Sequence, residues 1–296
     1  MYEAFYRLRE RPFSILPDPD FIYWGRSHRV AFTMLEFGVM HSAGITVITG
    51  EVGSGKTTLV RYLLRRLDPQ TTVGLVSNTP QGRDELLQCI MMSVGQAFDQ
   101  PYVALLQRFN DFLHAQHAAG RRTVLIIDEA QNLRADALEG LRMLSNVNTD
   151  KTQILGLVLV GQVQLKSTLR DPQFVQRVSS DVHLKPLERD EVAHYIHHRL
   201  TAAGSTTQLF SADACRMIAE VSRGVPRVIN LFCDTALVYG FAARAAEITS
   251  ELVKEVIQDK QTYGIFPAND RMDEDRLHRD QLDNEWRVGQ AGARNP

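Results

Sequence analysis

Ile45-Thr46-Val47-Ile48-Thr49 runs directly into Gly50-Glu51-Val52-Gly53-Ser54-Gly55-Lys56-Thr57, and Thr58, Leu59, Leu63, Leu64 and Leu67 follow at helical spacing. An apolar run, an octet spelled GxxxxGK[ST] and a helix therefore come in the order that a phosphate-binding loop requires. Glycines let the backbone curl until several N–H groups face one anion, and the helix start adds its partial positive charge. In that pattern Lys56 reaches the β- and γ-phosphates of a nucleotide, and the Thr57 hydroxyl is a ligand for Mg²⁺. Residues 50–58 are the predicted cradle.

A second apolar run, Val124-Leu125-Ile126-Ile127, ends in Asp128-Glu129. Ligands of open parallel sheets sit at the C-terminal edge of the strands, where this pair of carboxylates is delivered. Asp128 suits the Mg²⁺ shell, and Glu129 suits polarising the water that attacks a γ-phosphate. Together with the glycine loop, the pair predicts a nucleoside triphosphatase using Mg²⁺.

Around these motifs the composition is that of a globular protein. The 296 residues carry 33 Lys+Arg against 35 Asp+Glu, a net charge of −2, which argues against a coat for nucleic acid or for an anionic membrane. Cys89, Cys215 and Cys233 lie far apart, so no disulfide framework or zinc knuckle is spelled out. No apolar run approaches the ~20 residues that span a bilayer, and the first residues do not read as a signal peptide. His194, His197 and His198 cluster without a Glu or Cys to complete a ligand set, and read as a polar helix face.

Further short apolar runs at 73–77, 154–160 and, more weakly, 182–184 alternate with helix-period segments at 27–41, 57–67, 82–98, 101–118, 134–145 and 162–169. Continuous apolar runs suit strands buried on both faces, so the pattern predicts an α/β fold: a parallel five-stranded sheet sandwiched by helices. After Pro186 four helices are expected, over 190–203, 212–222, 226–243 and 250–261. The division expected is 1–186 for the α/β domain, 187–262 for a small all-helical domain and 263–296 for a polar tail. Before residue 25, Tyr2, Phe5, Tyr6, Phe13, Phe21, Tyr23 and Trp24 interleave with Pro12, Pro17 and Pro19, as in an extended arm fastened to a core by its rings.

GEVGSGKT at 50–57 and VLIIDE at 124–129 resemble the Walker A and Walker B motifs of AAA+ ATPases, and a helical domain behind the sheet resembles their lid. The opening MYEAFYRLRERPFSILPDPDFIYWGRSHRVAFTMLEFGV is similar to the start of the general secretion pathway protein A group, which includes pilus-biogenesis and exosortase- or exopolysaccharide-associated ATPases. LVGQ at 159–162, QR at 176–177 and SRGVPRVINLFCDTAL at 222–237 match the same group. The resemblance implies ATP as the nucleotide, and further site residues. Asn78 matches a polar residue that restrains the Walker B glutamate, and Gln162 takes the sensor 1 position, where most relatives have Asn, Ser or Thr. Arg177, with Arg170 as its rival, matches the arginine that reaches a neighbouring subunit's nucleotide; Arg227 matches sensor 2. His28, with Phe21 and Tyr23, is expected at the adenine pocket.

The resemblance also implies a ring or filament of identical subunits, serving assembly of an envelope machine for secretion, pili or exopolysaccharide export. The longest members continue past the lid into a membrane helix and a periplasmic domain. Through Pro296 no such helix is spelled, so the expectation is a cytoplasmic protein held at the inner membrane by a protein partner. Two alternatives stay open: a DNA-linked regulator of the transposition type, and a nucleotide-gated scaffold with little turnover. Against the first, residues 187–262 carry eight Lys/Arg and ten Asp/Glu rather than a basic surplus.

Overall fold

A computed structural model describes residues 1–41, 44–77, 80, 82–147 and 154–263. Asn78 and the tail beyond Tyr263 lie outside the described residues. In chain order the elements are α1 (Tyr2–Phe5), α2 (Arg26–His41), β1 (Ile45–Gly50), α3 (Lys56–Arg66), β2 (Thr71–Val76) and α4 (Arg83–Ser93). There follow α5 (Tyr102–Ala118), β3 (Arg122–Ile127), α6 (Ala135–Leu144), β4 (Leu155–Gly161), α7 (Leu165–Thr168), α8 (Pro172–Val175) and β5 (Val178–Leu184). The helical domain is α9 (Arg189–Ala202), α10 (Ala212–Ser222), α11 (Pro226–Ala242) and α12 (Ser250–Tyr263).

The five strands are parallel in the order β2-β3-β4-β1-β5. Alternate side chains of the inner strands enter different cores. Val47, Leu125, Ile127, Leu157 and Leu159 pack with α4, α5 and α6, whereas Ile48, Val124, Ile126, Val158 and Val160 pack with α2 and α3. This is why those strands read as unbroken apolar runs. Two expectations are corrected. β5 starts at Val178 rather than 182, because this edge strand carries Ser179 and Asp181 on exposed positions and a buried but polar Ser180, which together hide its first half. The helix expected over 82–98 stops at Ser93: Gly95 turns left-handed (φ +72°) and Gln96 N–H donates to the Met91 carbonyl at 2.9 Å, which closes the helix end.

The largest departure concerns the arm. Grouped with the α/β domain by sequence order, it instead buries Tyr2, Tyr6, Leu8, Phe13 and Phe21 in the core of the helical domain, with Phe210, Ile218, Ile229 and Leu237. Only near its end does it cross to the sheet, where Trp24 packs edge-on against Phe32 and Tyr62 at 5.2 and 4.9 Å. The physical reason lies in Arg199 of α9, which is 6% exposed. Its Nε donates to the Pro12 carbonyl at 2.6 Å, one Nη donates to the Ser14 carbonyl at 3.2 Å, and its guanidinium lies 4.7 Å over the Phe21 ring. Tyr195 Oη donates to Asn230 Oδ1 at 2.8 Å, and Asn230 Nδ2 donates to the same Ser14 carbonyl at 3.2 Å. A buried cation is tolerated when its donors are met, and here irregular arm backbone supplies the acceptors.

Candidate nucleotide site

β1 ends at Gly50 and α3 begins at Lys56, so the loop between them must reverse within five residues. Gly53 (φ +79°) and Gly55 (φ +101°) take the left-handed conformations this demands. The first intrahelical bond of α3 is Leu59 N–H to the Gly55 carbonyl, at 3.0 Å. The amides of Lys56, Thr57 and Thr58 precede it and have no intrahelical acceptor, which leaves a cluster of donors at the helix start. Lys56 Nζ donates to the carbonyls of Gly50 (3.0 Å) and Glu51 (2.9 Å), bracing the loop with two of its three protons. Burial lowers the pKa of Lys56, and the charges of Glu129, then Asp128, then Glu51 oppose that. Val52 stands at the exposed crest of the loop.

The two motifs meet. Thr57 Oγ1 donates to Asp128 Oδ2 at 3.1 Å. Asp128 is buried, and its own N–H donates to the Val76 carbonyl at 2.9 Å, which fixes it between the ends of β2 and β3. Burial raises its pKa, while hydrogen bonds from the Glu129 amide and Thr57 act in the other direction. A hydroxyl and a carboxylate side by side are hard oxygen donors of the kind Mg²⁺ takes. Ser54 Oγ, within the cradle, is buried with no hydrogen-bond partner among the described residues. These residues fit an anion and its divalent cation.

Glu129 follows in a left-handed turn (φ +54°), an uncommon conformation for a residue with a side chain and one that concentrates at functional sites. Its carboxylate accepts a hydrogen bond from Gln131 Nε2 at 2.6 Å, and Gln131 Oε1 accepts from the Gln162 amide at 2.9 Å. Gln162, just past β4, thus lies beside the acidic pair through its backbone. Gln131 carries no signal in the sequence, since a glutamine two residues after an acidic pair is ordinary; only the fold brings it to β4.

Two more expected residues take clear positions. Arg227, at the start of α11, donates its N–H to the Gly53 carbonyl at 3.2 Å, and a β-carbon on Gly53 would stand 2.4 Å from Cβ of Arg227. The helical domain therefore rests on the glycine loop itself. Arg177 lies before β5, beside the start of β1: its carbonyl accepts from Ile45 N–H at 2.9 Å. Its guanidinium donates to Ser145 Oγ at 3.0 Å. The glycine loop leaves the other end of β1, on the order of 17 Å away along the strand. Arg170 is exposed in the same region.

His28 lies beneath the loop, with Nε2 3.0 Å from the Ser54 carbonyl. Phe21 and Tyr23 face the helical domain, Tyr23 edge-on to Tyr195 at 5.8 Å. Burial lowers the pKa of His28 from its ordinary value near 6.5, and that of His183, whose Nδ1 is 3.1 Å from Thr49 Oγ1. A histidine whose folded pKa lies below the unfolded value adds stability that is present above the unfolded value and lost as pH falls through the folded one. Urea midpoints should therefore fall as pH drops below about 6.5, the ordinary histidine value. His28→Gln, which keeps a donor for Ser54, should flatten that fall; an unchanged slope would remove His28 as a source.

Comparison with known proteins agrees with this geometry. A family described as an AAA domain matches residues 39–169. General secretion pathway protein A of Aeromonas hydrophila is 38% identical over 253 residues, covering 84% of this chain and 46% of that protein. The chain thus spans about half the length of that relative. Among solved structures, the Aeropyrum pernix ORC1 protein in complex with DNA matches with a TM-score of 0.64 at 15% identity, over 86% of this chain and 70% of that one. The ADP form of the Aeropyrum pernix ORC2 protein matches with a TM-score of 0.63 at 20% identity, over 86% and 74%. Likeness at these identities shows the fold alone. Sheet order, phosphate loop and sequence similarity give the chain an AAA+ type P-loop fold, and over most of its length the sequence is similar to General secretion pathway protein A.

Proposed function

We propose that this chain binds ATP with Mg²⁺ and hydrolyses it as an oligomer, and that the cycle drives or regulates assembly of a bacterial envelope system for secretion, pili or exopolysaccharide export. The observation that carries the reading is the contact of Thr57 with Asp128 at the mouth of the braced Lys56 loop. A magnesium ion held by Thr57 and Asp128 supplies neutralisation of charge on the phosphate oxygens. Lys56 and the first amides of α3 hold the β- and γ-phosphates. Glu129 accepts a proton from the attacking water as its oxygen bonds to the γ-phosphorus; the bond to the β-phosphate oxygen breaks, leaving ADP and phosphate.

Arg177 is too far from its own loop to meet the γ-phosphate, so a role at the nucleotide requires a second subunit. Arg227 on Gly53 supports a helical domain that senses the loop. Among the described residues no helix is long and apolar enough to cross a membrane, and the proposed place of work is the cytoplasmic side of the inner membrane, reached through a membrane-bound partner. The envelope role draws on the Aeromonas hydrophila relative, of which this chain covers less than half.

Phosphate release measured against Mg²⁺ and protein concentration tests the proposal. Turnover should vanish on chelation and rise per subunit with concentration, and Arg177→Ala should abolish that rise. A rate independent of concentration would sink the oligomeric mechanism, and stimulation by DNA would favour the DNA-linked alternative.

A further inference from the structure

The Gln131 side-chain amide works in two directions, toward Glu129 at the end of β3 and toward Gln162 just past β4. Its orientation follows from its partners. A carboxylate oxygen accepts and a backbone N–H donates, so flipping the amide would set oxygen against oxygen on one side and donor against donor on the other. Room for the bridge depends on Gly161, where a β-carbon would stand 2.6 Å from Gln131 Oε1. The same carboxylate is one of the charges that oppose the effect of burial on Lys56.

We infer that Gln131 is a positioning residue, whose amide holds the Glu129 carboxylate in one pose beside Asp128 and ties that pose to the end of β4. A glutamate at the end of a strand otherwise samples several rotamers, and a carboxylate turned away from the loop cannot take a proton from a water placed there. The bridge makes the pose depend on Gln162, so a displacement of the β4 end reaches Glu129 through one side chain. The inference rests on the ATPase reading above.

Two variants of the full chain separate the halves of the bridge. Gln131→Leu removes both hydrogen bonds. Gln131→Glu keeps the size and an acceptor for Gln162 N–H, and removes the donor to Glu129. Steady-state phosphate release, binding of a fluorescent ATP analogue and thermal melting are the readouts. Both variants should lower kcat about 100-fold, with analogue affinity and melting temperature unchanged. Neither should lower the rate further in a Glu129→Gln background, since the residue acts through Glu129. Wild-type kcat in Gln131→Glu, or losses that multiply with Glu129→Gln, would overturn this inference alone. Affinity or melting temperature falling in step with kcat marks a structural role and also overturns it. Absence of turnover in the wild type under all conditions would overturn the ATPase reading and this inference together.

Discussion

Glu129→Gln should lower kcat for ATP hydrolysis about 10³-fold and leave ATP affinity at its wild-type value. The substitution keeps size and an oxygen that can accept from Gln131, so the local turn has no reason to change. What it removes is the capacity to take a proton from water. Nucleotide affinity resides elsewhere, in Lys56, the amides at the start of α3 and the Thr57–Asp128 pair. Single-turnover phosphate release and titration with a fluorescent ATP analogue read the two quantities separately. Wild-type hydrolysis by Glu129→Gln would remove Glu129 as the proton acceptor, and equally slow hydrolysis by both proteins under all conditions would revive the scaffold alternative. Loss of binding together with hydrolysis would mean that the carboxylate shapes the loop instead.

The second large effect is on stability. Gly224→Ala should cost about 3 kcal/mol, the sum of a left-handed backbone penalty and a forced displacement of packed neighbours. Gly224 has φ +77°, and a β-carbon there would meet the Leu187 carbonyl oxygen at 2.0 Å. That carbonyl cannot retreat freely, because the Leu187 amide donates to the Gly224 carbonyl at 2.9 Å. This contact pins the chain leaving the sheet to the turn between α10 and α11. Gly95→Ala is the control: its φ is +72°, yet none of the described residues beyond its chain neighbours lies within 4 Å of the added carbon. It should cost only about 1 kcal/mol. Equal shifts in urea midpoint for the two variants would show that the close approach at Leu187 contributes nothing.

The sheet was legible because its inner strands are buried on both faces, so Ile45–Thr49, Val124–Ile127 and 154–160 stand out as apolar runs with little polar interruption. β5 was half legible, since its polar positions follow from being at an edge and carry no fixed period. The four helices after Pro186 announce themselves through Ser211, Gly204, Gly224 and Pro226, residues whose backbone or side chain ends or begins a helix. Of the site, the glycine loop and the acidic pair are local in sequence, and spacing alone suffices to see them. Gln131 and the placement of the arm are not local. Each depends on which distant backbone groups need a partner, Gln162 N–H in one case and the carbonyls of Pro12 and Ser14 in the other.

The buried arm has a consequence for how the chain is made. Tyr2 hydrogen-bonds to Asp234 across a sequence separation of 232 residues, and Phe13 meets Phe210 ring to ring. The aromatic residues of the arm therefore have no permanent seat until α9, α10 and α11, which follow the whole sheet in sequence, have been made. At ordinary rates of synthesis that interval is on the order of ten to forty seconds, during which a greasy strip waits for its partners. A nascent chain halted after β5 would keep that strip uncovered, a natural target for a chaperone and a site of early proteolysis.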